Sequence, residues 1–520
     1  MSHDRLSRRH FFFGSLMAGA VPVAGFGSTP SLKFMGYKSP NEKLNIASIG
    51  AGGKAASDIV GCETENIVAL CDPDAKRAEY MFKKYEKVPK YTDFRKMLDK
   101  EEKNIDAVIV AIPDFMHATA ATWAMERGKH VFCQKPLTRT LWEARSLAQA
   151  AAKYKVATQM GNQGYSNEGT RRCAEMIWSG EIGNVTEVHA WTNRPVWPQG
   201  LQEQPKEAAV PDSLDWDSWL GIANMRPYSP AYLPFAWRGF FDFGCGALGD
   251  MACHILGAPN MALMLGAPSS VECLKQEGKS SFTFPLKSVI RFDFPARGSM
   301  PAVKIFWYDG CLDAPFRPES IAKNQVLGDL PRRRPANGEQ RRAGPPPNFV
   351  PGAPSREPEW ATEWERGLEA ERPAEPPPQA AAPLPQDSNA RIDANVNRLV
   401  SRGSNGSLFI GDKGMITTGT YGEGTRLLPV EKMKDYKYPA ELLTRSPGHY
   451  HDWIRAAKGG EPACSNFGVA GPFTEWIVLG VLALRFEGKL EWDSAKMKIT
   501  NNPEANRFIK PTFRKDWQFT

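Results

Sequence analysis

Between residues 44 and 160 the apolar positions gather into short runs separated by amphipathic stretches. The runs are Leu44-Asn45-Ile46-Ala47-Ser48-Ile49, Ile67-Val68-Ala69-Leu70-Cys71, Ala107-Val108-Ile109-Val110-Ala111-Ile112, His130-Val131-Phe132-Cys133 and Val156-Ala157-Thr158-Gln159-Met160. Their length and near-continuous apolarity predict strands buried on both faces. Tyr91-Thr92 adds a short strand, and Asp93 is placed to cap a helix over 94–98. A further helix over 117–127 stops at Gly128, a residue that tolerates the left-handed backbone of a helix end. Strands alternating with helices predict a parallel sheet covered on both faces, in a first domain over 41–165.

From about residue 165 the texture changes. A helix over 170–179 precedes stretches at 185–192, 269–276, 288–294 and 302–308 that alternate apolar and polar residues or are rich in β-branched ones. They follow one another with few long helices between, which predicts a largely antiparallel sheet in an α+β second domain over 166–500. Strands at 406–411 and 414–416 and helices over 448–457 and 473–486 belong to the same domain. Residues 328–390 interrupt it with proline, arginine, glutamate and alanine, including Pro345-Pro346-Pro347 and Pro376-Pro377-Pro378. Such a composition cannot bury a core and predicts a surface or unstructured insert. Residues 501–520 form a C-terminal tail.

At 520 residues the chain exceeds one ordinary core. Its net charge of +7 comes partly from the extreme N-terminus and an arginine cluster near residue 332. No basic stripe is interleaved with aromatics, so a nucleic-acid partner is not implied. The nine cysteines are scattered, with no close pair at metal-ligand spacing, and predict mostly buried free thiols and no metal site. Fifteen tryptophans supply core packing or faces on which a sugar can stack. Ser7-Arg8-Arg9-His10-Phe11-Phe12 and the Gly/Ala-rich apolar run through Phe26 predict a twin-arginine export signal within residues 1–40. That run is too short and too weakly apolar for a stable membrane span.

The chemistry concentrates where strands end. After the first strand, Gly50-Ala51-Gly52-Gly53 forms a tight turn into a helix, the cradle in which a pyrophosphate sits on main-chain amides. Gly50 permits the turn, Gly52 lets the backbone approach the phosphates, and Ala55 lets helix and strand pack closely. Asp72 ends the second strand 22 residues after Gly50, about where the acceptor for a ribose 2′-hydroxyl belongs. A carboxylate there repels a 2′-phosphate, which favours NAD over NADP, although Lys76 and Arg77 follow closely. Pro113, Lys135 and Gly161 fall at other strand ends and are expected to face the same crevice. Asp250 and His254 stand four apart, which on a helix puts both on one face.

In order, Gly50-Ala51-Gly52-Gly53, Ile112-Pro113-Asp114 with His117, Gln134-Lys135-Pro136-Leu137, and Gly246-Ala247-Leu248-Gly249-Asp250 with His254 resemble the Gfo/Idh/MocA family of NAD(P)-dependent oxidoreductases. The resemblance implies a Rossmann domain followed by an open mixed sheet whose face roofs the nicotinamide, and often a homodimer or homotetramer built through that sheet. It implies that Lys135 contacts the nicotinamide ribose and the reacting hydroxyl, that His254 is an acid/base group, and that Asp250 orients it or binds a hydroxyl. The usual Glu-Lys-Pro is here Gln134-Lys135-Pro136, which removes a carboxylate beside Lys135 and is expected to lower that lysine's pKa if the groups are close.

Among the remaining candidates, His117 either reaches the nicotinamide end or satisfies the backbone. Asn162, Gln163 and Tyr165 follow the last strand of the first domain, where cofactor or substrate contact is plausible. Arg194, Trp197 and Arg238 are candidate sugar contacts.

The leading expectation is an exported oxidoreductase acting on a hydroxyl of a sugar, polyol or glycoside, with a retained nicotinamide regenerated within the cycle. A glycosidase working by transient C3 oxidation and elimination, and a non-catalytic dinucleotide-binding protein, are the alternatives.

Overall fold

The computed structural model describes residues 42–310, 316–330 and 405–519. The twin-arginine segment and most of the proline-rich insert lie outside the described residues. Among the described residues, no helix is long and apolar enough to cross a membrane.

Six strands form the first sheet: β1 (Asn45–Ile49), β2 (Asn66–Cys71), β3 (Lys90–Tyr91), β4 (Ala107–Val110), β5 (His130–Cys133) and β6 (Thr158–Met160). All pair in parallel, in the order β3-β2-β1-β4-β5-β6. The order reverses at β1, which opens a crevice beyond the carboxyl ends of β1 and β4. Every residue of β4 is buried, as a central parallel strand requires. Asp93 does cap its helix, accepting from the Arg95 amide, and that helix runs Phe94–Lys100.

The second sheet has nine described strands: β7 (Val185–Trp191), β8 (Ser270–Glu277), β9 (Lys287–Phe294), β10 (Val303–Asp309), β11 (Gly406–Gly411), β12 (Met415–Thr418), β13 (Arg426–Leu428), β14 (Lys489–Asp493) and β15 (Lys498–Ile499). Their order is β13-β12-β11-β7-β10-β9-β8-β14-β15. The pairs are antiparallel except β7 with β10. Strand β9 alternates buried and half-exposed side chains, the signature of a sheet with one face on the core.

Two helices from the second half tie the sheets together. His449–Ala457 packs Trp453, Ile454 and Ala457 into the first sheet's core beside Leu44 and Ile46. Phe467–Ala483 lies along the helix Leu141–Tyr154, while its Trp476 meets Phe292 and Phe294 of β9 edge-on. This helix begins six residues before the expected 473 because Asn466 caps it, accepting from the Gly468 amide. Pro472, in the second turn, removes one helical hydrogen bond without ending it.

The chain also stays ordered past the expected start of the insert. Ile321 and Leu327 pack with Trp191, Leu408 and Leu428, and Gly328 donates its amide to Thr417 Oγ1. The eight described cysteines are free, six of them buried.

Candidate active site

The crevice is a cavity of 790 Å³, within the range of about 300–1,000 Å³ typical of ligand sites. Its floor holds Gly50, Gly52, Gly53, Asp72, Pro113, Gln134 and Lys135; its roof holds Arg194, Trp197, Arg238, Asp250 and His254.

Gly50 has φ +95°, and a Cβ there would stand 2.2 Å from the Ala111 carbonyl oxygen. Only glycine fits this turn between β1 and β4. A Cβ on Gly52 would meet the Arg77 side chain at 2.5 Å, so this glycine makes room for Arg77. Asp72 Oδ2 accepts from the Ala51 and Gly52 amides at 2.9 and 3.1 Å, and its Oδ1 from the Asp74 amide at 3.0 Å. Burial pushes its carboxyl upward against these bonds and against nearby Arg77. Arg77, although five residues on in sequence, therefore borders Asp72 in space.

Lys135 sits at the seam between floor and roof. Its Nζ donates to Asp250 Oδ1 at 3.0 Å and to the Asp250 carbonyl at 3.1 Å. Asp250 and His254 both lie on the helix Gly246–Ile255, one turn apart. Arg238 Nε approaches Asp250 Oδ1 at 3.4 Å, and its guanidinium lies 4.2 Å from both the Phe235 and the Trp237 ring. Burial pushes the Asp250 carboxyl up, but Lys135, Arg238 and Arg194 outweigh it and hold it well below the usual carboxylate range. Burial, reinforced by the Lys135 charge, drives the His254 imidazole well below its ordinary value. The ring is therefore neutral near pH 7. Its Nδ1 is buried without a hydrogen-bond partner among the described residues, and Tyr421 meets the ring edge-on at 4.8 Å.

Three candidates lie elsewhere. His117 is fully buried, its nitrogens 2.8 Å from the Pro136 carbonyl and 2.7 Å from that of Ile112. Burial lowers it to about 4; the neutral ring donates to only one of the two carbonyls, and it does not line the crevice. Asn162 is fully buried, accepting from Ser465 Oγ at 2.6 Å. Tyr165 is buried against Phe473, with its hydroxyl accepting from Asn260. Small polar residues after a strand look alike in sequence; here the helix Phe467–Ala483 and its approach cover these two, while Gln163 between them lines the crevice.

The change at position 134 has a structural partner. Gln134 Nε2 donates to Asp58 Oδ2 at 2.8 Å, and Asp58 Oδ1 takes the Tyr450 hydroxyl at 2.8 Å and pairs with Lys54 at 3.2 Å. Asp58 is completely buried. A glutamate at 134 would put a second carboxylate against it. Lys135 meanwhile keeps an acidic partner in Asp250, so the missing glutamate does not leave it without one.

Asp114, which follows Pro113 at the end of β4, also lines the crevice. Burial raises its carboxyl to about 7, with Arg238 lowering and Asp250 raising it. Lys54 and Arg77 also line the crevice; Lys54 directly follows the glycine turn, and Arg77 is five residues past Asp72. Tyr421 arrives from beyond β12 with no sequence signal at all.

Residues 44–162 match the sequence model of an oxidoreductase family with an NAD-binding Rossmann fold, and residues 178–273 match that family's C-terminal alpha/beta domain. The two matches support the Gfo/Idh/MocA oxidoreductases. Among curated relatives, inositol 2-dehydrogenase of Salmonella typhimurium is 32% identical over 34% of this chain and 54% of its own. A glycosyl hydrolase family 109 protein of Solibacter usitatus is 26% identical over 36% of this chain and 46% of its own. The chain thus spans about half the length of the curated relatives it matches. The crystal structure of the WlbA dehydrogenase from Bordetella pertussis, in complex with NADH and UDP-GlcNAcA, shares the fold at 12% identity, with a TM-score of 0.52 over 87% of this chain and 99% of that one.

The residues present fit NAD. Gly50, Gly52, Gly53 and Lys54 line the crevice at the start of the helix Lys54–Gly61, Asp72 stands at the end of β2, and the lining runs past Lys135 to His254, whose Nδ1 has no hydrogen-bond partner among the described residues.

Proposed function

We propose that this chain is an NAD-dependent oxidoreductase that oxidises a secondary hydroxyl of a sugar, polyol or glycoside. The observation that carries the reading is the Lys135–Asp250–His254 constellation at the seam between glycine turn and roof. When bound, the nicotinamide supplies the hydride acceptor.

The chain's own groups manage the proton and the charge. The neutral His254 imidazole takes the hydroxyl proton as the carbinol C–H bond breaks and the carbonyl forms. The Lys135 ammonium stabilises negative charge growing on the oxygen, and Asp250 holds that ammonium in place. Arg238, Arg194, Trp197 and Tyr421 surround the substrate with donors and aromatic faces suited to a polyhydroxylated ring. The Arg8-Arg9 segment supports an exported enzyme.

The related glycosidase reading uses the same residues to oxidise C3 and acidify the neighbouring C–H. It is favoured by the glycosyl hydrolase family 109 relative. A panel of free polyols and nitrophenyl glycosides separates the two. Net nicotinamide reduction by free polyols is the expected result. Nitrophenol release without accumulated reduced nicotinamide would replace it with the glycosidase. Neither signal, with NAD bound, would overturn both.

A further inference from the structure

The adenosine half of the crevice carries a feature that the proton chemistry does not use. Beyond Asp72 the lining continues through Pro73, Asp74 and Phe94 to two tryptophans from far along the chain, Trp219 and Trp517.

The first arrives on residues 213–220. Leu214 bridges Asp74, the Ser213 carbonyl accepts from the Ala75 amide at 2.9 Å, and the Asp215 amide donates to the Pro73 carbonyl at 2.8 Å. This segment is stitched to the loop after β2 and continues as the short helix Trp216–Leu220. Trp219 is held by Phe115 at 5.7 Å and Phe243 at 5.1 Å.

The second arrives on residues 514–517. Trp517 is 3% exposed, and the Arg95 guanidinium lies 3.8 Å from its ring centre. Arg95 also donates to the Asp516 carbonyl at 3.2 Å. Beyond it, Phe519 anchors on Trp142 at 5.4 Å.

Arg514 ties the two segments together. It donates to Asp217 Oδ1 at 2.5 Å, to the Asp217 carbonyl at 3.0 Å and to the Gly221 carbonyl at 2.8 Å. Both tryptophans thus sit on segments fastened to the sheet ends and to each other, over the place where a purine would lie next to Asp72.

We propose that residues 213–220 and 514–517 form a clasp that closes over the adenosine end of the bound dinucleotide and slows its release. Trp517, with Arg95 over one face, and Trp219, stacked on Trp216 at 4.9 Å, form the rigid aromatic wall of this end, and Arg514–Asp217 is the catch. A dinucleotide held this way stays through successive turnovers, so the hydride it receives is returned to a carbonyl acceptor in the same crevice. The inference rests on the NAD reading of the crevice, not on the identity of the sugar.

The test is the dissociation rate of NADH from the full chain, followed by nicotinamide fluorescence after a chase with excess NAD. Trp517→Ala removes a ring; Asp217→Ala opens the catch at a side chain that is 60% exposed and leaves the core intact. Removing this ring from the wall of the adenosine end predicts release faster by about tenfold in Trp517→Ala. A smaller acceleration is expected in Asp217→Ala, and energy transfer from tryptophan to bound NADH should fall only in Trp517→Ala. Circular dichroism of both variants keeps a folding defect apart from a binding one. Release equally fast in the parent and both variants would overturn the clasp while leaving NAD binding intact. Failure of the parent to bind NADH would overturn the NAD reading and the clasp together.

Discussion

The floor of the crevice, from Gly50 to Gln134, meets its ligand mainly with backbone: a turn without side chains, amides at a helix start, and one carboxylate, Asp72, already engaged by amides of the turn. The roof, from Arg194 to Tyr421, meets its ligand with side chains, three of them cationic or titratable groups gathered about one carboxylate, Asp250. A backbone floor suits a ligand that is the same in every turnover, because main-chain geometry cannot drift without breaking the fold. A side-chain roof can differ in shape and charge while the floor stays fixed, so the proposed function puts specificity and proton chemistry there. Lys135 belongs to the floor by strand position and to the roof by its bond to Asp250.

The sharpest break of this division is His254→Ala or Lys135→Ala. Loss of a positioned acid/base group is expected to lower kcat/KM by roughly 10²–10⁴-fold. For His254→Ala the affinity for NADH, measured by fluorescence titration, should change little, since that side chain belongs to the roof and not to the glycine turn.

Asp114 lies on the floor but answers to charges of the roof. Its folded pKa of about 7 stands above the ordinary carboxylate value, so the folded state binds its proton more tightly than the unfolded state does. The stability this confers is complete below the unfolded pKa, near 4, and is lost as pH rises through about 7. Asp114→Asn should therefore gain on the parent by on the order of 1 kcal/mol per pH unit across that window. Denaturant midpoints at several pH values check it; a gap that shrinks with rising pH would contradict it.

A smaller effect is expected from Gln134→Glu, which sets a second carboxylate against buried Asp58. Leaving that pair of acids without a shared donor should cost about 1–3 kcal/mol near neutral pH. Burial already raises Asp58, and the added charge raises it further, so the folded state of the variant takes up protons and the loss shrinks as pH falls. Thermal midpoints at two pH values read this directly. Asp58→Asn combined with Gln134→Glu should recover much of the loss.

The floor was legible in the sequence because each of its groups sits at the end of a buried strand, and buried parallel strands announce themselves as apolar runs. Gly50, Asp72, Pro113 and Lys135 needed only that pattern, while Gly161, at the same kind of strand end, has the Gln134 side chain against it and does not line the crevice. Asp250 and His254 were legible by their spacing on one helix face, and the order of the motifs supplied their meaning. The misplaced residues fail for a physical reason: His117, Asn162 and Tyr165 also sit at strand ends, but neighbouring backbone or the second-half helices cover them. Nothing local distinguishes a polar residue that faces the crevice from one bonded behind it. Tyr421, Trp219 and Trp517 were invisible as site residues because long-range packing brings them to the crevice from positions without a motif.

The most direct test takes one sample of His254→Ala and reads two quantities on it, NADH affinity and single-turnover reduction of bound NAD by the best polyol of a panel. The division of labour predicts an affinity like the parent's and a reduction rate lower by about 10²-fold or more. Reduction at the parent's rate would remove His254 from the chemistry, and loss of NADH binding would show that roof and floor do not act separately.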